Sequence, residues 1–353
     1  MHRCLELAGL GAGNVAPNPM VGAILVHNNR IIGEGYHKKY GEAHAEPNCI
    51  ASVEEKDKDL IPESVMYVSL EPCVHYGKTP PCTDLIIKNK IPKLVIGCRD
   101  PFKEVNARLN DAVGQGKGIE KLRAAGIEVK YGVLEKECKE LNKRFLTFHT
   151  QQRPFIILKW AQTTNGIIGL NNFDRLHITS EFTNRVVHKW RSEEAAILVG
   201  TNTALLDNPE LTTRLWTGNN PIRLVVDMDL KLPSSLKIFN RRSKTIVFNK
   251  MKHEERSDLS FYHVTEDVSL VHQVVHALHQ LKIQSVMVEG GARLLQSFID
   301  EKIWDEARVI TNEELIINNG VDSPKLISHS KMEEQKIFSD KIEIFKPQSQ
   351  VDI

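Results

Sequence analysis

The sequence contains no run of about 18 apolar residues, so we expect no membrane-spanning helix. Six cysteines in 353 residues are too few for a disulfide scaffold, which leaves their spacing as the informative property. An excess of charge of one sign is also missing, since 46 Lys and Arg against 45 Asp and Glu give a net charge of +1. This balance argues against a binder of nucleic acid or of an anionic membrane. Residues 1–7 lack a basic region with a cleavage site, so we expect no signal peptide and a cytoplasmic protein.

The length and the order of the apolar segments predict two α/β domains. Short apolar strands alternate with helical patterns in both halves of the chain. The predicted strands are 21–26, 30–35, 65–70 and 94–98, then 155–160, 195–200, 222–227, 244–248 and 284–289. A polar break at 147–153 predicts the boundary, giving domains 1–148 and 149–353. The last ~45 residues show little periodicity and predict no definite elements.

Four residues in the first half have the types and spacing of a catalytic zinc site. His44 lies two residues before Glu46, and eight residues separate Cys73 from Cys82. One His and two Cys supply the three protein ligands of a catalytic zinc, whose fourth position is left to water. A carboxylate beside that water, here Glu46, acts as general acid and base.

Other interpretations of these residues remain open at this point. Either cysteine is also typical of a buried thiol, and a structural zinc site could recruit His75 as a fourth ligand. Cys73 follows an apolar strand, however, and Cys82 begins a helical pattern. Strand and helix ends are where loops form pockets, which favours the catalytic site.

The second half contains a strand, a Gly-Gly turn and a helical pattern around Gly290 and Gly291. Such a turn lets a pyrophosphate approach backbone N–H groups at a helix start, although a plain tight turn fits as well. Lys159 interrupts an apolar strand and lies either at a sheet edge or in a site. Residues 114–118 are rich in glycine, but no strand leads directly into them, and a surface loop is favoured over a phosphate cradle.

Several short motifs stand out in both halves of the chain. In the first half these are Pro17-Asn18-Pro19-Met20-Val21-Gly22, Gly33-Glu34-Gly35-Tyr36-His37, His44-Ala45-Glu46 and the segment 70–82. In the second half they include Leu158-Lys159, Ile178-Thr179-Ser180, Arg191, Asp207-Asn208-Pro209, Leu211, Arg214 and Val288-Glu289-Gly290-Gly291. Together these motifs resemble the bifunctional deaminase–reductase family of riboflavin biosynthesis. The long spacer between the two cysteines distinguishes this family from deaminases whose spacer is two residues.

The resemblance implies a cytidine-deaminase-like three-layer α/β/α domain followed by an α/β domain similar to dihydrofolate reductase. The first would hydrolyse the ring amine of 2,5-diamino-6-ribosylamino-4(3H)-pyrimidinone 5′-phosphate. His44, Cys73 and Cys82 would then hold Zn²⁺, and Glu46 would move protons. Asn18 and His75 would contact the pyrimidine.

For the second domain the resemblance implies reduction of the ribosyl group to ribityl with NADPH. NADPH would be bound by residues in two groups, namely Ala161, His177, Thr203 and Asp207, and the turn and helix of Gly291, Ala292, Arg293, Leu294, Leu295, Gln296 and Ser297. The substrate would be bound by Arg175, Arg191, Leu211, Arg214 and Glu289, with Lys159 as a catalytic group. Taken without the family, Arg191 and Arg214 are candidates to bind a phosphate, although isolated arginines are usually solvated.

The sequence departs from the family at a few positions. Asn165, His177 and Met228 replace the family's aspartate, tryptophan and serine, and residues 107–115 look like an insertion. These changes raise the alternative of an active deaminase with an inactive reductase-like scaffold. A polynucleotide deaminase or RNA-binding module is disfavoured by the neutral charge and the lack of aromatic and basic stripes. The family further implies a homo-oligomer, either a dimer or a tetramer.

Overall fold

The protein is described by a computed structural model. It describes residues 1–76, 80–101, 104–106, 111–113, 117–171 and 176–348. The chain divides into two compact units, Met1–Gln152 and Arg153–Ile353. Among the described residues, no helix combines the length and the apolar character needed to cross a membrane. All six cysteines lie in the described part and are free thiols.

The first unit is built on a five-stranded sheet of order β2-β1-β3-β4-β7. Its strands are β1 (Gly22–His27), β2 (Arg30–Tyr36), β3 (Val65–Leu70), β4 (Lys93–Cys98) and β7 (Glu128–Tyr131), and β5 (Glu104–Asn106) pairs separately with β6 (Asp111–Val113). Its helices are α1 (His2–Gly9), α2 (Ala45–Ala51), α3 (Cys82–Lys88), α4 (Lys117–Ala124), α5 (Glu135–Leu141) and α6 (Lys143–Gln151), with a 3-10 helix at Glu55–Glu63.

Alternate residues of the strands form two separate cores on the two faces of this sheet. Leu25, Met66 and Leu94 pack against apolar residues of α2, α3 and α4. On the opposite face, α1 packs against Ile24, and α5 contributes Cys138. Because side chains point to opposite faces at successive strand positions, one sheet buries both layers of helices. The result is the three-layer α/β/α arrangement that the family resemblance implies.

The second unit is built on a nine-stranded sheet of order β13-β12-β11-β10-β14-β8-β15-β18-β17. Its strands are β8 (Phe155–Thr163), β10 (Ala196–Val199), β11 (Ile222–Val226), β12 (Thr245–Asn249), β13 (Leu259–His263), β14 (Ser285–Val288), β15 (Glu306–Asn312), β17 (His329–Ile337) and β18 (Asp340–Pro347), and β9 (Ile167–Gly169) pairs with β16 (Val321–Asp322). Its helices are α7 (Glu181–Glu193), α8 (Thr201–Asp207), α9 (Leu270–Gln280) and α10 (Ala292–Asp300), with a 3-10 turn at Lys237–Phe239. Helices α9 and α10 pack on one face of the sheet, and α7 and α8 pack on the other.

Each predicted strand is present, but several further strands, among them β7, β13 and those after residue 305, were not predicted. β15 is buried along six of its seven residues, yet it carries Glu306 and Arg308. These two side chains form an ion pair with Nε–Oε1 at 2.7 Å and are almost fully buried. The pairing explains how a fully buried strand can contain two charges, which disguises its pattern in the sequence.

The helical segment at residues 135–151 is interrupted. α5 ends before Asn142 and α6 begins after it. The buried Asn142 amide bonds the backbone of Met20 through two 2.8 Å hydrogen bonds, accepting from its N–H and donating to its carbonyl. The break therefore coincides with a contact to a distant loop.

Candidate active sites

The three candidate zinc ligands of the first unit lie together. Their ligand atoms are all within 4.8 Å of one another. Nδ1 of His44 is 3.7 Å from Sγ of Cys73 and 3.4 Å from Sγ of Cys82. A zinc ion with ordinary bond lengths in a tetrahedral site separates its nitrogen and sulfur ligands by about 3.6 Å. The donor set and its spacing therefore fit Zn²⁺.

Local structure places these ligands at the ends of secondary-structure elements. His44 is the residue that precedes α2, Cys73 lies three residues after β3, and Cys82 begins α3. The backbone N–H of Cys82 donates to Sγ of Cys73 at 3.3 Å. Hydrogen bonds from Cys82 and His44 lower the pKa of the Cys73 thiol, which favours the thiolate that binds a metal.

Glu46 lies in the first turn of α2 and is almost fully buried. Burial, together with the charge of Cys73, raises the pKa of Glu46 to about 7. The carboxyl group interacts with both His44 and Cys82. Glu46 is thus beside the ligand cluster, as the spacing of His44 and Glu46 predicts.

Asn18 is held by a histidine that the sequence did not single out. Nδ1 of the buried His37 is 3.0 Å from the carbonyl oxygen of Ala43, so this nitrogen carries the proton and donates. Nε2 of His37 then accepts from Nδ2 of Asn18 at 3.1 Å. This orients the Asn18 amide and leaves its oxygen as an acceptor. The ring of His37 also contacts that of His44, with centroids 5.3 Å apart.

A carboxylate supports the segment that leads to Cys73. Glu71 is buried, and its oxygens accept from the backbone N–H groups of Ile119 at 3.2 Å and Asp100 at 3.4 Å. Gly118 packs so closely here that an added Cβ would lie 2.5 Å from the carbonyl oxygen of Pro72. The start of α4 thus rests directly on the chain beside Cys73. His75 is half-buried two residues further on.

In the second unit, the Gly290–Gly291 turn joins β14 to the start of α10. The N–H of Gly200, just before α8, donates to the carbonyl oxygen of Gly290 at 2.8 Å. A Cβ at Gly291 would lie only 3.2 Å from Oγ1 of Thr203. The turn therefore brings the start of α10 against α8 in a narrow backbone cradle, which fits the phosphates of a dinucleotide such as NADPH.

The side chains of the predicted 291–297 segment are in different environments. Leu295 is buried in the core, and the hydroxyl of Ser297 donates to the carbonyl oxygen of Leu294 at 2.8 Å. Gln296 is bonded to Asp300 and to the backbone of Lys325. Contacts to a cofactor thus fall to the backbone at the start of α10, where Gly291 and Ala292 are half-buried and Arg293 is exposed.

Lys159 in β8, Glu289 just after β14 and Arg191 on α7 form a charged group. Leu158 of β8 pairs with Val288 of β14, which brings the following residues, Lys159 and Glu289, to the same level. Arg191 on α7 donates to both Glu289 oxygens, at 2.8 and 2.6 Å. Burial alone would raise the pKa of Glu289, but the charge and hydrogen bonds of Arg191 outweigh burial and lower that pKa to about 2.

The remaining predicted residues of this unit lie on several different elements. Leu211 is buried with a backbone φ of 53°, and Arg214 is exposed on the same loop. The carbonyl oxygen of Thr212 accepts from Nη1 of Arg191 at 3.5 Å. Ala161 is half-buried in β8, and Asp207 ends α8. Arg175 lies outside the described residues.

The departures from the family are accommodated locally. Asn165 accepts from Oγ1 of Thr163 at 2.7 Å and donates to the carbonyl oxygen of Ile317 at 2.8 Å. Both the oxygen and the nitrogen of its amide are therefore hydrogen-bonded in this turn. Met228 packs against the core, and His177 is exposed. Of the apparent insertion 107–115, only 111–113 are described, and these form strand β6.

Two family models match the chain. Residues 1–98 match the cytidine and deoxycytidylate deaminase zinc-binding region, and residues 154–316 match the RibD C-terminal domain. With the ligand cluster and the glycine cradle, these matches define a zinc-dependent deaminase joined to an NADPH-dependent reductase.

Similarity to individual proteins extends over almost the whole chain. The riboflavin biosynthesis protein RibD of Aquifex aeolicus is 39% identical over 348 residues, which cover 97% of this chain and 94% of that protein. The corresponding protein of Bacillus amyloliquefaciens is 37% identical, with coverage of 95% and 89%. A crystal structure of a diaminohydroxyphosphoribosylaminopyrimidine deaminase/5-amino-6-(5-phosphoribosylamino)uracil reductase from Thermotoga maritima superposes with a TM-score of 0.86 at 36% identity, and covers 98% of this chain and 97% of its own. The chain belongs to the RibD family of bifunctional riboflavin-biosynthesis enzymes, and no observation favours the inactive-scaffold alternative.

Proposed function

We propose that residues 1–148 deaminate 2,5-diamino-6-ribosylamino-4(3H)-pyrimidinone 5′-phosphate and that residues 149–353 reduce the product, 5-amino-6-(5-phosphoribosylamino)uracil. The observation that carries this proposal is the cluster of His44, Cys73 and Cys82 with Glu46 beside it. The Thermotoga maritima protein, whose name includes both activities, and the two family matches support the order of the two domains.

In the first reaction, His44, Cys73 and Cys82 would hold zinc, which would supply Lewis acidity for the activation of water. Glu46 takes a proton from the attacking water and delivers it to the departing amine. The oxygen of the Asn18 amide, oriented by His37, accepts a hydrogen bond from the pyrimidine, and His75 contacts the same ring.

In the second reaction, bound NADPH would supply the hydride for C1′ of the ribosyl group, whose bond to the ring oxygen breaks. Lys159 donates the proton that this oxygen takes up. Glu289, fixed by Arg191, contacts the sugar, and Leu211 lines the same site. Arg214 binds the phosphate, and Arg175 contacts the substrate. Thr203, Asp207, Ala161, His177 and the start of α10 contact the cofactor.

The decisive experiment is mass spectrometry of the aminopyrimidine phosphate after incubation with the zinc-loaded protein. Without NADPH we expect replacement of the amine by oxygen, and with NADPH we expect the further addition of two hydrogens. Deamination without reduction would overturn the proposal for the second unit. The absence of both reactions would overturn the proposals for both units.

We further propose that the protein is a cytoplasmic homo-oligomer. The six free thiols fit a reducing compartment. Strand β17 lies at the edge of its sheet, and its central residues are exposed, including Met332. Such an edge can pair with a second copy. Light scattering during size-exclusion chromatography tests this, and a monomeric mass at micromolar concentration would contradict it.

A further inference from the structure

His188 occupies a buried position beside the candidate substrate site of the second unit. It lies on α7, one turn before Arg191, and its relative exposure is 3%. Its Nδ1 accepts a long hydrogen bond, 3.4 Å, from the backbone N–H of Leu215. Leu215 directly follows Arg214, so this contact anchors the loop at the residue next to that guanidinium.

The loop is anchored on the other side of Arg214 as well. The N–H of Thr213 donates to Oδ1 of Asn220 at 2.9 Å, and its hydroxyl donates to the carbonyl oxygen of Asn219 at 3.0 Å. These bonds close the loop upon itself before Arg214. The contact from His188 ties the loop to α7 just after Arg214, so the backbone is fixed on both sides of an exposed side chain.

The surroundings of His188 keep its imidazole uncharged. Burial, followed by the positive charges of Arg191 and Arg214, lowers the pKa of His188 to about 4. Lys159 on β8 acts in the same direction, and Glu289 after β14 opposes it. A neutral ring has one unprotonated nitrogen, and the contact from Leu215 requires that this nitrogen be Nδ1.

We propose that His188 is a positioning residue of the reductase site, whose Nδ1 fixes the backbone at Leu215 and thereby holds Arg214 where the substrate phosphate binds. This inference rests on the proposed function, in which Arg214 binds that phosphate. His188 itself acts through the loop and through Arg214.

Three substitutions at His188 distinguish the role of Nδ1 from that of Nε2. In His188→Asn, the amide oxygen can occupy the position of Nδ1 and accept from Leu215. In His188→Gln, the longer side chain places its polar group near the position of Nε2. His188→Leu fills similar space and accepts no hydrogen bond. Deamination by the same protein is the internal control for folding of the first unit, and the Kd for NADPH is the control for the second.

We expect His188→Leu and His188→Gln to raise the reductase KM for the phosphorylated substrate about tenfold, with kcat changed much less. His188→Asn should remain within about threefold of the wild type. The KM for the corresponding substrate without its phosphate should hardly change in any variant. A wild-type KM in His188→Gln together with a raised KM in His188→Asn would overturn the proposal. An equal rise in KM for the substrates with and without phosphate would also overturn it.

Hydrogen exchange provides a readout that does not depend on activity. Exchange of the peptide around Leu215 should be faster in His188→Leu than in the wild type and unchanged in His188→Asn. Unchanged exchange in His188→Leu would overturn the proposal even if reduction is observed. If the wild type reduces no substrate, the proposed function fails, while this comparison still decides whether His188 holds the loop.

Discussion

Glu46 and Glu289 are both buried carboxylates, but their surroundings shift their pKa values in opposite directions. Burial raises the pKa of Glu46 to about 7, whereas Arg191 lowers that of Glu289 to about 2. The first environment suits a group that exchanges protons, and the second suits a group that stays charged and orients a ligand.

Glu46→Gln tests the role of the first carboxylate. The amide keeps the size of the side chain but cannot take up a proton from water, so we expect deamination to fall by at least about a hundredfold. Zinc content measured by plasma mass spectrometry should be unchanged, because Glu46 is outside the ligand set. Reduction by the same preparation is the control, and full deamination by this variant would contradict the assignment.

Glu289→Gln tests the second carboxylate. It leaves the buried charge of Arg191 without its partner, so we expect the free energy of unfolding of this unit to fall by about 3–5 kcal/mol at pH 7. Glu193→Gln breaks a far more exposed ion pair with Lys189 on the same helix and should cost less than about 1 kcal/mol. Denaturant titration followed by a probe in the second unit measures both.

The contribution of Glu289 to the free energy of unfolding depends on pH in a definite direction. The pKa of Glu289 is lowered from 4.5 to about 2, so the ionised form is favoured by the folded protein. The stability it contributes is present above pH 4.5 and is lost as the pH falls towards 2. The difference in the free energy of unfolding between the wild type and Glu289→Gln should therefore decrease as the pH falls from 4.5 towards 2. A difference independent of pH would contradict the ion-pair explanation.

At the scale of elements, the zinc site depends on how closely α4 approaches the chain beside Cys73. In Gly118→Ala the new Cβ would lie 2.5 Å from the carbonyl oxygen of Pro72 and 3.0 Å from Oε1 of Glu71, so the helix or the strand end must shift. We expect zinc affinity, measured by chelator competition, to fall about tenfold, as it does when groups behind a metal ligand are disturbed.

Gly9→Ala is the matched control for that substitution. An added Cβ there has no atom within 4 Å, and the residue lies at the end of α1. Zinc affinity should be unchanged in this variant. Equal losses in both glycine variants, or none in Gly118→Ala, would show that close packing of α4 does not support the site.

At the scale of the whole molecule, the candidate zinc ligands all lie in the first unit, and the glycine cradle lies in the second. Removal of zinc by a chelator should therefore abolish deamination and leave NADPH-dependent reduction of the deaminated substrate within about twofold. Added zinc should restore deamination. Loss of both activities on chelation would show that the second unit also depends on the metal.

The sequence itself determined the chemistry of the two sites and the class of the fold. The spacing of His44, Cys73 and Cys82 indicated a metal site because ligand types and their places at element ends are local properties. The alternation of apolar segments, which is also a local property of the sequence, indicated two α/β units. Strand β15 escaped prediction because the charges of Glu306 and Arg308 interrupt its apolar pattern and are compensated only when both side chains are buried together.

Only the tertiary structure decided how the candidate residues are held. His37 orients Asn18 across 19 positions of sequence, Asn142 binds Met20 across 122, and His188 contacts Leu215 across 27. None of these pairs has a periodic or local signal, because a hydrogen bond between distant segments depends on where folding places them. The sequence therefore determined which groups could act, and the packing of the sheets and helices decided which neighbours orient them and set their charge.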